Sequence, residues 1–171
     1  MARIRLITER GDALSSDQAR VFDAIVESRG KMLRPYEVLL HAPTIAEALS
    51  ELGARIRFAG SLPDHDRELV ILTAAAVHGC EFEWDTHLPI AIEAGVRPEV
   101  ITHLEGVPTE LTDMELLVIE YVQTLCAEST VPADMFERAR EHFGDGGVIE
   151  LTAAVGYYTL LAYVMRATDT C

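Results

Sequence analysis

The sequence predicts an all-α chain, on three observations. Helix start and stop signals recur from end to end, apolar residues return at helical spacing, and alternating polar–apolar strands are nearly absent. Ser15 and Gln18 stand at capping-box spacing ahead of Val21, Phe22, Ile25 and Val26, and Gly30 closes that first helix. Pro35 and Pro43 leave room only for a short turn through Tyr36 to Leu40. A second helix is predicted from about Thr44 to Phe58, with Ile45, Leu49, Leu52 and Ile56 on one face. Pro63 opens a third, Asp64 to His78. Its Leu69-to-Ala76 middle has the composition of a buried strand, but the acidic first turn, the length and Gly79 as terminator specify helix.

A fourth helix runs from Cys80 to Ala94 and stops at Gly95. Pro89 inside it removes one backbone hydrogen bond and predicts a kink or an early break. Pro98 opens a short fifth, and Thr112 with Glu115 forms a second capping box for a helix reaching about Ala127. Pro132 starts the next, ending near Gly144, where Gly144-Asp145-Gly146-Gly147 reads as a loop rather than a phosphate cradle. Val148 to Ala167 makes a long final helix, apolar on more than one face. Such a helix is expected both to run through the domain centre and to pack on another subunit, so a homo-oligomer is expected. The sum is a single-domain bundle of about eight helices over residues 1–171.

Composition narrows the function classes. A length of 171 residues fits one compact domain. Fourteen Lys and Arg against 28 Asp and Glu give a net charge of -14, which disfavours nucleic acid and anionic membrane surfaces as partners. The longest nearly uncharged stretch, Leu151 to Met165, is shorter than the ~20 residues of a membrane span. Cys80, Cys126 and Cys171 are odd in number and share no short spacing. They do not read as a disulfide framework, and a cytoplasmic location is expected.

Reactive side chains concentrate in His78-Gly79-Cys80-Glu81-Phe82-Glu83-Trp84-Asp85-Thr86-His87. At 100° per residue, Glu83 falls at about 300° and His87 at about 340° from Cys80, so the three form one ridge. Phe82 and Trp84 point to its flanks as walls. A carboxylate four residues before an imidazole orients it and raises its basicity, and a cationic imidazole lowers a thiol pKa. The same spacing also suits a core cysteine beside an ordinary surface ion pair. A Cys80, Glu83 and His87 set, with His41 or Glu68, has the donor types of a zinc or iron site, but no second short-spaced ligand pair supports it.

Asp66 to Leu72, Cys80 to His87 and Ala91 to Val96 resemble the core of the carboxymuconolactone decarboxylase family, which includes the alkylhydroperoxidase-D-like peroxidases. Leu39 to Pro43, Thr112 to Glu115 and Glu150 to Tyr158 are similar to its longer single-domain members. The resemblance extends over roughly residues 32 to 166, with a motif core at 64–96 and an N-terminal helical extension at 1–42. It implies an alkylhydroperoxidase-D-like all-α fold, trimeric or hexameric assembly and no cofactor, and it does not imply a metal. The peroxidase branch uses Cys-x-x-Cys-x-x-x-His with a Glu twelve residues before the first Cys. Glu68, Cys80 and His87 match that pattern, but Glu83 stands at the second cysteine. The decarboxylase branch carries a Glu four residues before its His, as here.

The resemblance therefore implies a cofactor-free lyase acting on a small carboxylated lactone or aromatic-degradation intermediate. In that reading His87 is the proton donor, Glu83 holds its tautomer, and Glu68 and Cys80 line the pocket. Arg67 and Arg34 are candidate anchors for a substrate carboxylate, although Arg67 also has Asp64 or Asp66 in reach. His41 either satisfies a backbone carbonyl or serves as a second acid/base, and Trp84 is a pocket wall. The alternatives are an alkylhydroperoxidase-like peroxidase or thiol oxidoreductase using Cys80, resolved by Cys126 or Cys171, and an oligomeric scaffold with a vestigial pocket.

Overall fold

The computed structural model describes residues 2–171. Among them are eight helices and no strand: α1 (Ser16–Arg29), α2 (Arg34–Leu39), α3 (Pro43–Phe58), α4 (Asp64–His78), α5 (Glu81–Glu93), α6 (Pro98–Leu104), α7 (Asp113–Glu128) and α8 (Ala133–Ala167). The predicted all-α class is thus the observed one. The chain divides into two compact units, Met1–Ala59 with Tyr163–Cys171, and Gly60–Ala162.

In the first unit, α1 begins where its capping box places it. Ser15 Oγ accepts from the Gln18 N–H at 3.2 Å, and Gln18 Oε1 accepts from the Ser15 N–H at 3.0 Å. The segment after Pro35 is a six-residue helix, α2, rather than the expected turn. A proline in the first turn removes an N–H that has no intrahelical acceptor anyway. α3 packs on α1 and α2 through Ala46, Leu49 and Gly53, whereas Ile45 and Leu52 remain exposed. The predicted apolar face is therefore only partly the buried one: Leu49 is inside as expected and Ile56 half-buried, while small Ala46 and Gly53 let the helices approach and Ile45 and Leu52 stay outside. Arg29 ties these helices together, with its guanidinium 4.9 Å over the Tyr36 ring and donating to the Ser50 carbonyl at 2.7 Å.

In the second unit, α4 is the central element and packs on α5, α6 and α7. Eight consecutive residues, Glu68 to Ala75, are buried, so this helix has no solvent face over two turns. Each large aliphatic side chain in that run contributes roughly 1.5–3 kcal/mol of burial. Gly79 ends α4 at φ 57°, ψ 43°, with its own N–H on the Ala76 carbonyl (3.1 Å) and the Cys80 N–H on the Ala75 carbonyl (2.9 Å). That Schellman closure leads directly into α5. A Cβ in this left-handed conformation is strained, so Gly79→Ala should lower unfolding free energy by about 1 kcal/mol in a denaturant titration.

α5 runs through Pro89 without the predicted break. Pro89 has no N–H to give to the Asp85 carbonyl, and the helix continues with that one bond missing. α7 starts at the second capping box, where Glu115 Oε2 accepts from the Thr112 N–H (2.7 Å) and hydroxyl (2.9 Å). Arg97, at the N-terminus of α6, clamps the same carboxylate through Nε to Oε1 at 2.8 Å and Nη2 to Oε2 at 2.6 Å. The two helix starts are thereby locked by one acid.

α8 spans 35 residues but is interrupted at Gly144, with φ 71° and ψ 174°. Only glycine occupies that region freely, and it divides the helix where the sequence predicts two. By length and composition α8 could cross a membrane, yet half of its most apolar stretch is buried, as in a core helix. Ile149 and Leu160 are exposed, so the helix is apolar on more than one face as expected.

Candidate acid–base site

The packing of α4 on α5 brings three titratable side chains together out of solvent. Glu68, Glu83 and His87 have relative exposures of 1%, 4% and 3%. Buried carboxylates and imidazoles are rare unless paired, because desolvation disfavours their charged forms. Here they are paired with one another. His87 Nδ1 lies 2.7 Å from Glu68 Oε2, and Nε2 lies 3.7 Å from Glu83 Oε2. A carboxylate oxygen accepts, so Nδ1 carries the proton toward Glu68 and Nε2 is the atom left for exchange.

The geometry differs from the expected one: Glu68, nineteen residues upstream, is the carboxylate hydrogen-bonded to His87, while Glu83 faces the opposite nitrogen across a gap too long for a hydrogen bond. The remaining oxygen of Glu68, Oε1, makes no hydrogen bond and lies 3.6 Å from Arg67 Nε. Arg67 also donates to Asp64 Oδ1 at 2.8 Å, so it supports the buried acid from the helix start. Tyr158 of α8 sets its ring edge-on to the imidazole, with centroids 5.3 Å apart, and Tyr157 stacks edge-on to Tyr158 in turn. The sequence points to Tyr158 only as the end of the Glu150 to Tyr158 stretch, and nothing in its spacing marks it as a neighbour of His87.

The other expected site residues are placed differently. Cys80 is the N-cap of α5; it is buried and disulfide-bonded, against the reading of the cysteines as unpaired by disulfides. Cys126 is a free thiol, pushed up in pKa by burial, with Thr159 Oγ1 at 3.7 Å. Trp84 lines a cleft of about 320 Å³ together with Cys80. Glu68, Glu83 and His87 are not among the residues lining that cleft. Arg34 and His41 belong to the first unit. Arg34 pairs with Glu37 at 3.1 Å, and exposed His41 bonds the Arg5 carbonyl through Nε2 at 2.7 Å, its backbone-satisfying role. His78 bonds Thr159 Oγ1 at 2.9 Å, and His65 bonds Asp66 Oδ1 at 2.9 Å. Among the described residues, no three His, Cys, Asp or Glu side chains are grouped to hold a metal ion.

Residues 43–116 match the family model of the carboxymuconolactone decarboxylase family, a span that includes Glu68, Cys80, Glu83 and His87. Two solved structures share the fold over 99% of this chain, each with a TM-score of 0.76. One is an uncharacterized peroxidase-related protein from Silicibacter sp. TM1040, at 15% identity and 91% of its own length. The other, from Ralstonia eutropha JMP134, is an alkylhydroperoxidase AhpD core, at 18% identity and 93% of its length. A protein of unknown function from Agrobacterium tumefaciens aligns with 78% of this chain and 93% of its own, at 22% identity and a TM-score of 0.65. No curated protein matches. At such identities these likenesses establish an alkylhydroperoxidase-D-like fold.

Proposed function

We propose that this protein, similar over residues 43–116 to the carboxymuconolactone decarboxylase family, is a cofactor-free lyase that decarboxylates a small carboxylated lactone or a related unsaturated acid by proton transfer at His87. The observation that carries the reading is a buried imidazole fixed at Nδ1 by Glu68 (2.7 Å) and faced at Nε2 by Glu83 (3.7 Å). In the reaction the bond between ring carbon and carboxylate breaks and CO2 leaves. The electron pair passes into the conjugated lactone carbonyl, and the dienolate takes a proton from His87 Nε2 at carbon. Glu68 stabilises the protonated ring and holds its orientation, so no reorganisation is needed when the proton moves. His87 enters the step protonated on both nitrogens and Nε2 regains its proton from solvent after turnover, with the Glu83 carboxylate 3.7 Å away to favour the charged ring. Burial of the three groups strengthens each interaction relative to water.

The test is a panel of carboxylated unsaturated lactones and acids in D2O, followed by NMR. CO2 release with one deuterium placed on the product carbon is expected for at least one panel member. Absence of both from every member counts against the reading.

A second reading, a thiol oxidoreductase, is favoured by the disulfide at Cys80 and by the peroxidase-related names of two structural neighbours. After reduction, a thiolate at Cys80 would attack the peroxide O–O bond, releasing alcohol and leaving a sulfenic acid. A second thiol would displace water from it to form a disulfide, and an external thiol would reduce that. Under this reading, mass spectrometry of the reduced protein after brief hydroperoxide treatment finds Cys80 oxidised well before Cys126. Equal oxidation of the two removes it.

A further inference from the structure

The cleft beside Cys80 carries a signature that the proton-transfer site does not use. Its volume is about 320 Å³, the lower end of the range for small-molecule sites. Ala75 and Ala76, from the last turn of α4, supply an apolar surface, and Trp84 a half-buried indole. Glu81 and Asp85, both exposed and one turn apart on α5, supply two carboxylates. Among the described residues, no Lys, Arg or His lines it.

The local dipoles do not offset that charge. α4 ends at the cleft with its negative pole and α5 begins there with its positive one, so their fields largely cancel. The two side-chain carboxylates therefore set the sign of the potential. An indole face beside them attracts a cation through its quadrupole and an apolar body through its area. A carboxylate ligand meets repulsion and finds no cationic partner.

We propose that this cleft binds a small organic cation, an ammonium group on an apolar body, and is a site separate from the Glu68–His87–Glu83 cluster. It does not depend on the lyase reading, since none of the three proton-transfer residues lines it. The sign of the cleft also makes it the wrong place to seat the carboxylate of an acid substrate.

Trp84 is the only tryptophan in the chain, so intrinsic fluorescence of the intact protein reports this cleft directly. Benzyltrimethylammonium, phenylacetate and benzyl alcohol serve as cationic, anionic and neutral probes of similar size. Saturable quenching is expected with the cation at a concentration at least tenfold below that needed for phenylacetate. The Glu81→Gln/Asp85→Asn double variant, at two exposed positions, should weaken the cation about tenfold and leave benzyl alcohol unchanged, with circular dichroism confirming an intact helix content. Added salt should weaken the cation in the wild type alone. The proposal is overturned if phenylacetate binds as tightly as the cation, if the double variant binds the cation as well as wild type, or if no probe saturates.

Discussion

His87→Gln is expected to lower turnover of any substrate that the D2O assay identifies by roughly 10²–10⁴-fold, the usual worth of a positioned general acid or base. Glutamine is close in length and can still donate an N–H to Glu68, so the buried carboxylate keeps a partner and the fold survives. What it cannot do is accept and release a proton. The check is kcat measured beside a far-ultraviolet circular dichroism spectrum: unchanged helix content with near-wild-type kcat would remove His87 from the chemistry. Glu68→Gln sharpens the assignment. It keeps an oxygen to accept the Nδ1–H at 2.7 Å but removes the negative charge that stabilises the protonated ring, and should therefore reduce kcat more than KM.

Glu115→Gln should destabilise the chain by about 2 kcal/mol at neutral pH. The Arg97 guanidinium, then the Thr112 N–H and hydroxyl, hold this carboxyl down from 4.5 to about 2, against the desolvation that opposes them. A depression of that size is worth at most about 3 kcal/mol. Arg97 is partly open to solvent, which screens its share and brings the figure to about 2. The folded form holds its proton less tightly than the unfolded chain, so the stabilisation is present above the unfolded value of 4.5. It is lost as pH falls toward about 2. Urea unfolding of wild type and variant from pH 7 to pH 3 checks both parts. The gap between them should be constant at the upper end and close by about half at the lower. A gap that stays fixed across the range would show that Glu115 acts by packing rather than charge.

Local chemistry explains why some elements were readable in advance. A capping box needs only residues three apart, so Ser15–Gln18 and Thr112–Glu115 mark the starts of α1 and α7 on their own. Gly79 and Gly144 mark chain reversals and breaks that other residues resist. α2 was not readable, because a six-residue helix is too short to stand on propensity and depends on packing against α3. The buried face of α3 was half legible for a related reason. Periodicity finds Leu49, which is buried, but close helix approach also selects Ala46 and Gly53 and leaves Ile45 and Leu52 outside.

At the candidate site the same division holds. Spacing on α5 places Glu83 beside His87, at 3.7 Å, but the hydrogen-bonded partner, Glu68, comes from another helix. Only the packing of α4 on α5 ranks the two acids. Arg67 next to Asp64 was visible as an i,i+3 pair, and that is where its guanidinium sits. The oxidation state of Cys80 has no sequence signature, since one isolated cysteine carries no spacing to read.

The proline within α5 has one more effect. With no amide hydrogen at position 89, the carbonyl at Asp85 lacks its usual partner four residues on, so the turn of α5 that follows the tryptophan-lined cleft is held by one backbone hydrogen bond fewer and should exchange its amide hydrogens faster than the rest of the helix.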